Sequence, residues 1–303
     1  MWYNMIIIRG GLMIKLIVSD LDGTLLKYDN EFDYESYQKI KELEKKGVEL
    51  MFATGRDYWM VEDICQKYDI YNPMILNNGT QYRTYNGEVN HYYPMERDAF
   101  EKVMNILMSY HYHISVHTQK GKYIFEDIEK YFSRHVELLK KARGVDDESQ
   151  LPKAAFFTRE GYLKNVHEVQ SIDDLYLQGA LPLKIDARHI DAKYVSNVRH
   201  LFDDIEHLHV SSSFGENIEI TSDIHDKGSM LKEVLKQRGL SIEEVATFGD
   251  GLNDISLLDF PYSFAPGNAV QEAKQKATYS LNKTCEQGAV KKGLEILEKL
   301  NLL

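Results

Sequence analysis

Two aspartates separated by one residue, Asp20 and Asp22, stand directly after the apolar run Leu16-Ile17-Val18 in the segment KLIVSDLDGTLL. A short continuous apolar run closed by polar residues is the pattern of a strand buried on both faces of a parallel sheet. The carboxyl ends of such strands form the edge at which open α/β sheets take their ligands. Residues two apart in extended chain point the same way, so the spacing predicts that both carboxylates converge on one place. Carboxylates brought that close repel each other unless they share a proton or a cation. Taken alone, Asp-Gly also serves as a common turn, and an aspartate after a strand as a helix cap.

Three further places offer chemistry of the same kind. The strand-like run Val48–Ala53 is followed by Thr54-Gly55-Arg56. Lys227 opens a helical pattern that reaches Arg238. The run Val245–Phe248 leads straight into Gly249-Asp250-Gly251-Leu252-Asn253-Asp254, with a further helix expected from about Asn253. In a parallel sheet all strand carboxyl ends lie along one edge, so the aspartate pair, the Thr54 turn and the Asp250 turn can meet although they are far apart in sequence. Carboxylate oxygens suit Mg²⁺ better than zinc, which prefers His and Cys. A lysine with helix N-terminal amides suits a phosphoryl group. Singly, Thr54-Gly55 is an ordinary cap, Lys227 a solvated charge and Gly249-Asp250-Gly251 a turn; their order along the chain gives them a joint meaning.

The elements that must position these residues follow from periodicity. Helical spacing predicts helices over 32–46 and 58–68, and Met74–Leu76 reads as a third short strand ending in Asn77-Asn78-Gly79. This β-α-β-α-β order is that of a doubly wound parallel sheet. At Gln81 the pattern changes to Tyr- and His-rich pieces. Asn86-Gly87 is a hairpin signal, 99–109 an amphipathic helix, and 110–117 an alternating strand. That strand places His111, His113, Ser115 and His117 on one polar face, read as a cap surface turned to the cleft and not as a metal site. Helices are expected near 128–143 and 192–202, and strands near 184–187, 207–212 and 217–221. The α/β pattern returns at Asp226 and ends with two short strands, a helix from about Val270 and a helix over 287–300. One Rossmann-like α/β core, 13–81 with 222–303, is thus interrupted by an α/β insert at 82–221 large enough for its own core. Residues 1–12 read as an appendage, as if from an upstream start codon.

Composition narrows the partners. With 303 residues and a net charge of −11, the chain is long enough for two domains and disfavours nucleic acid and anionic membranes. Cys65 and Cys285 form neither a CxxC pair nor a disulfide framework, no apolar stretch is long enough for a membrane helix, and the first residues make a poor signal peptide. A reducing, cytoplasmic setting is the expectation.

The four motifs together resemble the haloacid dehalogenase (HAD) superfamily: DLDGTL at 20–25, Thr54, Lys227, and GD…ND at 249–254. The strings TGR at 54–56, NNG at 77–79, DKGSML at 226–231 and GDGLNDISLL at 249–258 are similar to the Cof-type phosphatases, as is an insert between the second and third motifs. The resemblance covers the chain from about Lys15 onward and is weakest within the insert. It implies a HAD-like core with a large α/β cap and a Mg²⁺-dependent phosphohydrolase acting on a small phosphorylated metabolite. It further implies that Asp20 is the nucleophile and Asp22 the general acid and base. Thr54, Gly55, Lys227 and Asn253 would hold phosphate, and Asp20, Asp22, Asp250 and Asp254 the metal, with Asp22 using its carbonyl. Arg56 is equally placed to reach substrate or to pair with an acid. A phosphotransferase or mutase, or a regulator that only binds a phosphorylated ligand, are the competing functions; a pure binding protein has no need of both Asp20 and Asp22.

Overall fold

The computed structural model describes residues 13–151, 157–191, 194, 198–212 and 217–303. The expected appendage at 1–12 lies outside the described residues. The chain forms two compact units: Met1–Met51 with Lys232–Asp250 and Leu257–Leu303, and Phe52–Leu231 with Gly251–Ser256.

In the first unit the strand Leu16–Ser19 is buried along its whole length and pairs in parallel with Val245–Phe248. That strand pairs in parallel with Tyr262–Ala265, and the latter with Tyr279–Ser280. Continuous apolar runs are what a parallel sheet covered on both faces demands. The helix Tyr34–Glu44 is capped by Asp33, whose side chain accepts the Ser36 N–H at 2.8 Å, and Gly47 leaves it with a φ of +89°. The closing helix Ala289–Lys299 buries Val290, Leu294 and Leu297. Its Gly293 lets it press onto the sheet, since a Cβ there would lie 2.4 Å from the Phe248 ring.

The strand Glu49–Ala53 carries the chain into the second unit, where Phe52 and Ala53 pair in parallel with Met74 and Ile75. Met74–Leu76, Gln81–Arg83 and Asn90–Tyr92 then follow as an antiparallel meander, turned by Gly87 at a φ of +74°. The same unit holds a six-stranded sheet in the order Leu208–Ser211, Asn217–Ser222, Pro182–Arg188, His113–Thr118, Gly121–Ile124, Val166–Glu168. Its pairings are antiparallel except the last. Strict alternation divides its faces. Ile114, Val116, Ile185, Ala187, Ile218 and Ile220 join one core with Phe100, Val103, Met104 and Leu107 of the helix Arg97–Ser109. His113, Ser115, His117, Lys184, Asp186, Glu219 and Thr221 take the alternate positions of the same strands. Register sets them in rows: Ser115 beside Asp186 beside Glu219, and His117 beside Lys184 beside Thr221.

Several elements differ from expectation. The helix expected from Asn253 is replaced by two 3₁₀ turns, Leu252–Asp254 and Leu257–Asp259. The Asp254 carboxylate closes the first onto the Gly251 N–H at 2.9 Å, and the Ser256 hydroxyl takes the Gly228 N–H at 3.0 Å. Side chains of this segment thus bind nearby backbone groups in place of a helical ladder. The strand expected at 110–117 starts only at His113, because His111 sits in a turn with a φ of +58°. Part of the helix expected at 192–202 falls outside the described residues, and its described end, Arg199–Phe202, is a 3₁₀ turn.

Buried histidines make this fold sensitive to acid. Burial drives the His113 pKa well below the usual imidazole value, reinforced by His135 and two arginines. Burial also lowers His117, against the pull of its Asp57 partner. A histidine with a depressed folded pKa stays neutral while its unfolded counterpart takes up a proton, so stability is lost as pH falls below about 6.5. His113 is expected to remove up to about 1.4 kcal/mol between pH 7.5 and 5.5, and His117, whose pKa Asp57 holds up, less. Thermal unfolding across that interval should show a falling Tm, with a shallower slope in His113→Phe. A Tm independent of pH contradicts this.

Candidate active site

In the first unit Asp20 follows the strand Leu16–Ser19 directly, and its N–H donates to the Phe248 carbonyl at 2.9 Å. The side chain is 5% exposed. Asp250, at the end of the neighbouring strand, brings a carboxylate oxygen within 4.8 Å of one from Asp20. The chain is shaped around that second carboxylate. The buried Thr24 hydroxyl donates to Asp250 Oδ1 at 2.8 Å, and a Cβ at Gly23 would fall 2.5 Å from Asp250 Oδ2. Gly23 also has a φ of +77°, a conformation glycine adopts without a Cβ penalty. Asn268 donates to the Gly23 carbonyl at 2.7 Å, and the Val270 N–H to the Asp250 carbonyl at 2.9 Å. Two hard oxygen donors at this separation fit a divalent cation such as Mg²⁺.

Asp22 does not lie in extended chain with Asp20. The strand ends at Ser19, Leu21 and Gly23 are turn residues, and Asp22 bridges to Leu26 with its side chain exposed. The turn that begins at Leu21, whose carbonyl accepts the Thr24 and Leu26 N–H groups, removes the two-residue alternation on which the expectation of convergence rested.

In the second unit Thr54 follows the strand Glu49–Ala53 and is fully buried. Its N–H donates to the Ile75 carbonyl at 2.9 Å, and its hydroxyl accepts the Arg56 N–H at 3.2 Å. Thr54 does not cap the next helix. Asp57 does, accepting the Met60 N–H at 2.9 Å. Gly55 and the half-buried Arg56 form the intervening loop.

Lys227 begins the helix Lys227–Arg238 behind Asp226, whose carboxylate accepts the Ser229 N–H at 2.7 Å. Its ammonium is wholly buried and donates to Asp254 Oδ1 at 2.6 Å. A buried lysine is not the solvated charge that a lone lysine ordinarily is; out of water, the ammonium needs the Asp254 carboxylate as its countercharge. Asn253, one residue before Asp254, donates to Asn78 Oδ1 at 3.0 Å.

Asp57, Lys184 and Glu219 of this unit escape sequence reasoning. His117 Nδ1 lies 2.7 Å from Asp57 Oδ2. Burial works to raise the Asp57 pKa, but the His117 hydrogen bond, the Met60 N–H and the nearby Lys122 bring it down to about 2. Asp57 is therefore an anion accepting from a neutral imidazole. Lys184 donates to the Gly55 carbonyl at 2.5 Å, and Asn78 donates to Glu219 Oε2 at 2.7 Å. Polar alternation in the strands was the available signal for Lys184 and Glu219; nothing local marks their partners.

With this geometry in view, the relatives of the chain can be placed. Residues 17–294 match the model of the haloacid dehalogenase-like hydrolases. Phosphatase YwpJ of Bacillus subtilis is 26% identical over 270 residues, covering 87% of this chain and 93% of its own. The 5-amino-6-(5-phospho-D-ribitylamino)uracil phosphatase YwtE of the same organism is 25% identical over 283 residues, 91% and 95% of the two chains. A solved haloacid dehalogenase-like hydrolase from B. subtilis superposes with a TM-score of 0.76 at 23% identity, covering 94% of this chain and 99% of that one, a likeness of fold. The chain belongs to the haloacid dehalogenase-like hydrolase family.

Proposed function

We propose that the protein is a Mg²⁺-dependent phosphatase that removes phosphate from a small metabolite through an aspartyl phosphate on Asp20. The observation that carries this reading is the buried Asp20 carboxylate held beside Asp250, with Gly23 and Thr24 shaped around the latter. Names of the relatives support phosphatase chemistry. Mg²⁺ would be held by Asp20, Asp250 and the Asp22 carbonyl with support from Asp254, and would supply charge neutralisation between the nucleophile and an anionic substrate.

In the first step an Asp20 oxygen forms a bond to phosphorus as the ester P–O bond breaks, and the leaving oxygen takes a proton from Asp22. In the second, Asp22 removes a proton from water, which attacks phosphorus and returns Asp20 as a carboxylate while inorganic phosphate leaves. The proton Asp22 gives up in the first step is regained from water in the second, so the acid is restored for the next turnover. Thr54, Gly55, Lys227 and Asn253 bind the phosphoryl oxygens and offset their growing charge, and Arg56 faces the substrate. The insert 82–221 is the cap that selects the leaving group, on a core of 13–81 and 222–303. The acidic chain does not exclude a small phosphorylated metabolite, while it disfavours nucleic acid and anionic membranes as partners. No helix among the described residues is long and apolar enough to cross a membrane. Cys65 and Cys285 are free and buried, in keeping with a cytoplasmic setting.

Hydrolysis of an aryl phosphate with and without Mg²⁺, followed by a panel of phosphorylated metabolites, tests the activity and its substrate. Asp20→Asn should lower turnover by orders of magnitude with the Tm retained; near-normal turnover excludes Asp20 as nucleophile. Asp254→Ala should destabilise by roughly 3–5 kcal/mol, because it removes the carboxylate paired with the buried Lys227 ammonium. The double variant Lys227→Met/Asp254→Leu should recover much of that stability in urea unfolding while remaining inactive. Equal stability of Asp254→Ala and wild type contradicts the pairing.

A further inference from the structure

We propose that Asn78 is a positioning residue that fixes which end of the Asn253 carboxamide meets the transferred phosphoryl group, and that the Glu219 carboxylate sets the sense of the whole chain. The inference rests on the proposed reaction, in which Asn253 touches phosphate. Asn77, Asn78 and Gly79 form one tight turn, with φ of +50°, +59° and +108°. Asparagine enters this left-handed region more readily than most side chains, and here it projects an amide between two partners. Asn78 Nδ2 donates to Glu219 Oε2 at 2.7 Å, and Asn78 Oδ1 accepts from Asn253 Nδ2 at 3.0 Å.

The direction of these bonds is dictated from one end. A carboxylate only accepts, so Glu219 requires the NH₂ of Asn78. The carbonyl of Asn78 then faces Asn253 and requires its NH₂ in turn. Turning either amide over would set acceptor against acceptor or donor against donor. Lys184 supplies the countercharge: its ammonium lies 3.8 Å from Glu219 Oε1, and both side chains are at least nine-tenths buried. The same ammonium donates to the Gly55 carbonyl at 2.5 Å, in the loop that follows Thr54. Two glycines leave room for the amides. A Cβ at Gly55 would fall 2.8 Å from Asn78 Oδ1, and one at Gly251 would fall 2.5 Å from Asn253 Oδ1. Asn253 thus keeps its carbonyl against the Gly251 backbone and one N–H on Asn78, leaving the second N–H for a phosphoryl oxygen.

The test is a double-mutant cycle read with inorganic phosphate as probe. Asn78→Gly removes the amide and suits the positive φ. The Ki of phosphate against aryl phosphate hydrolysis and the phosphate-induced rise in Tm are measured in wild type, Asn78→Gly, Asn253→Ala and the double variant. Asn253→Ala should weaken phosphate about tenfold, the worth of one hydrogen bond to a charged group. Asn78→Gly should do nearly the same, and the double variant no more than either. A normal Ki in Asn78→Gly, or losses that multiply in the double variant, overturns the proposal. Glu219→Gln gives a second cycle should Asn78→Gly fold poorly. It lets the amides turn over, so it should weaken phosphate in the wild-type background and not in Asn253→Ala; an equal effect in both overturns the proposal. Wild-type protein that neither hydrolyses the aryl phosphate nor gains stability from phosphate refutes the reaction itself, and the proposal with it.

Discussion

Two carboxylates that repel each other, Asp20 and Asp250, are held within 4.8 Å at the ends of adjacent parallel strands. Nothing in their own chemistry favours this. The pairing of Leu16–Ser19 with Val245–Phe248 fixes where both strands end, so that Asp20, one residue past Ser19, and Asp250, two past Phe248, come to the same edge. Thr24 gives a hydroxyl to Asp250, and Gly23 gives it space that a Cβ would take. The sheet's apolar interior therefore supports an electrostatic arrangement that the carboxylates would not adopt unaided, a common condition for a site that binds a cation.

The second unit solves a related problem with opposite charges. Its six-stranded sheet buries histidines, a lysine and a glutamate at alternate positions of strands whose other positions form a hydrocarbon core. Buried ionic groups are tolerated only when each is matched. Here the matches lie outside the sheet as well as within it: His117 on Asp57, Lys184 on the Gly55 carbonyl, Glu219 on Asn78. These bonds explain why the turns at 54–57 and 77–79 belong to the same compact unit as the sheet.

Where an element and its chemistry are adjacent in sequence, they could be read from it. The strands before Asp20, Thr54 and Asp250 and the helix after Lys227 stand as their apolar runs and caps imply, because a strand that ends in a polar turn is a local pattern. The strands Gly121–Ile124 and Val166–Glu168 escaped notice because they are too short to show a period. Asp57, Lys184 and Glu219 escaped as site-holding residues because their partners lie 60, 129 and 141 residues away, joined only by sheet register and chain topology. The burial of Lys227 was equally hidden, since it depends on Asp254 arriving from a turn 27 residues later.

The proposed reaction forms a covalent bond at one side chain, Asp20. Turnover of an aryl phosphate in Mg²⁺ can be stopped in acid, the protein reduced with borohydride, and its peptides sequenced by mass spectrometry. Reduction converts an acyl phosphate to an alcohol, so the account predicts homoserine at position 20 and an intact aspartate at position 22. Homoserine at another carboxylate, or none anywhere in a turning-over enzyme, would contradict it.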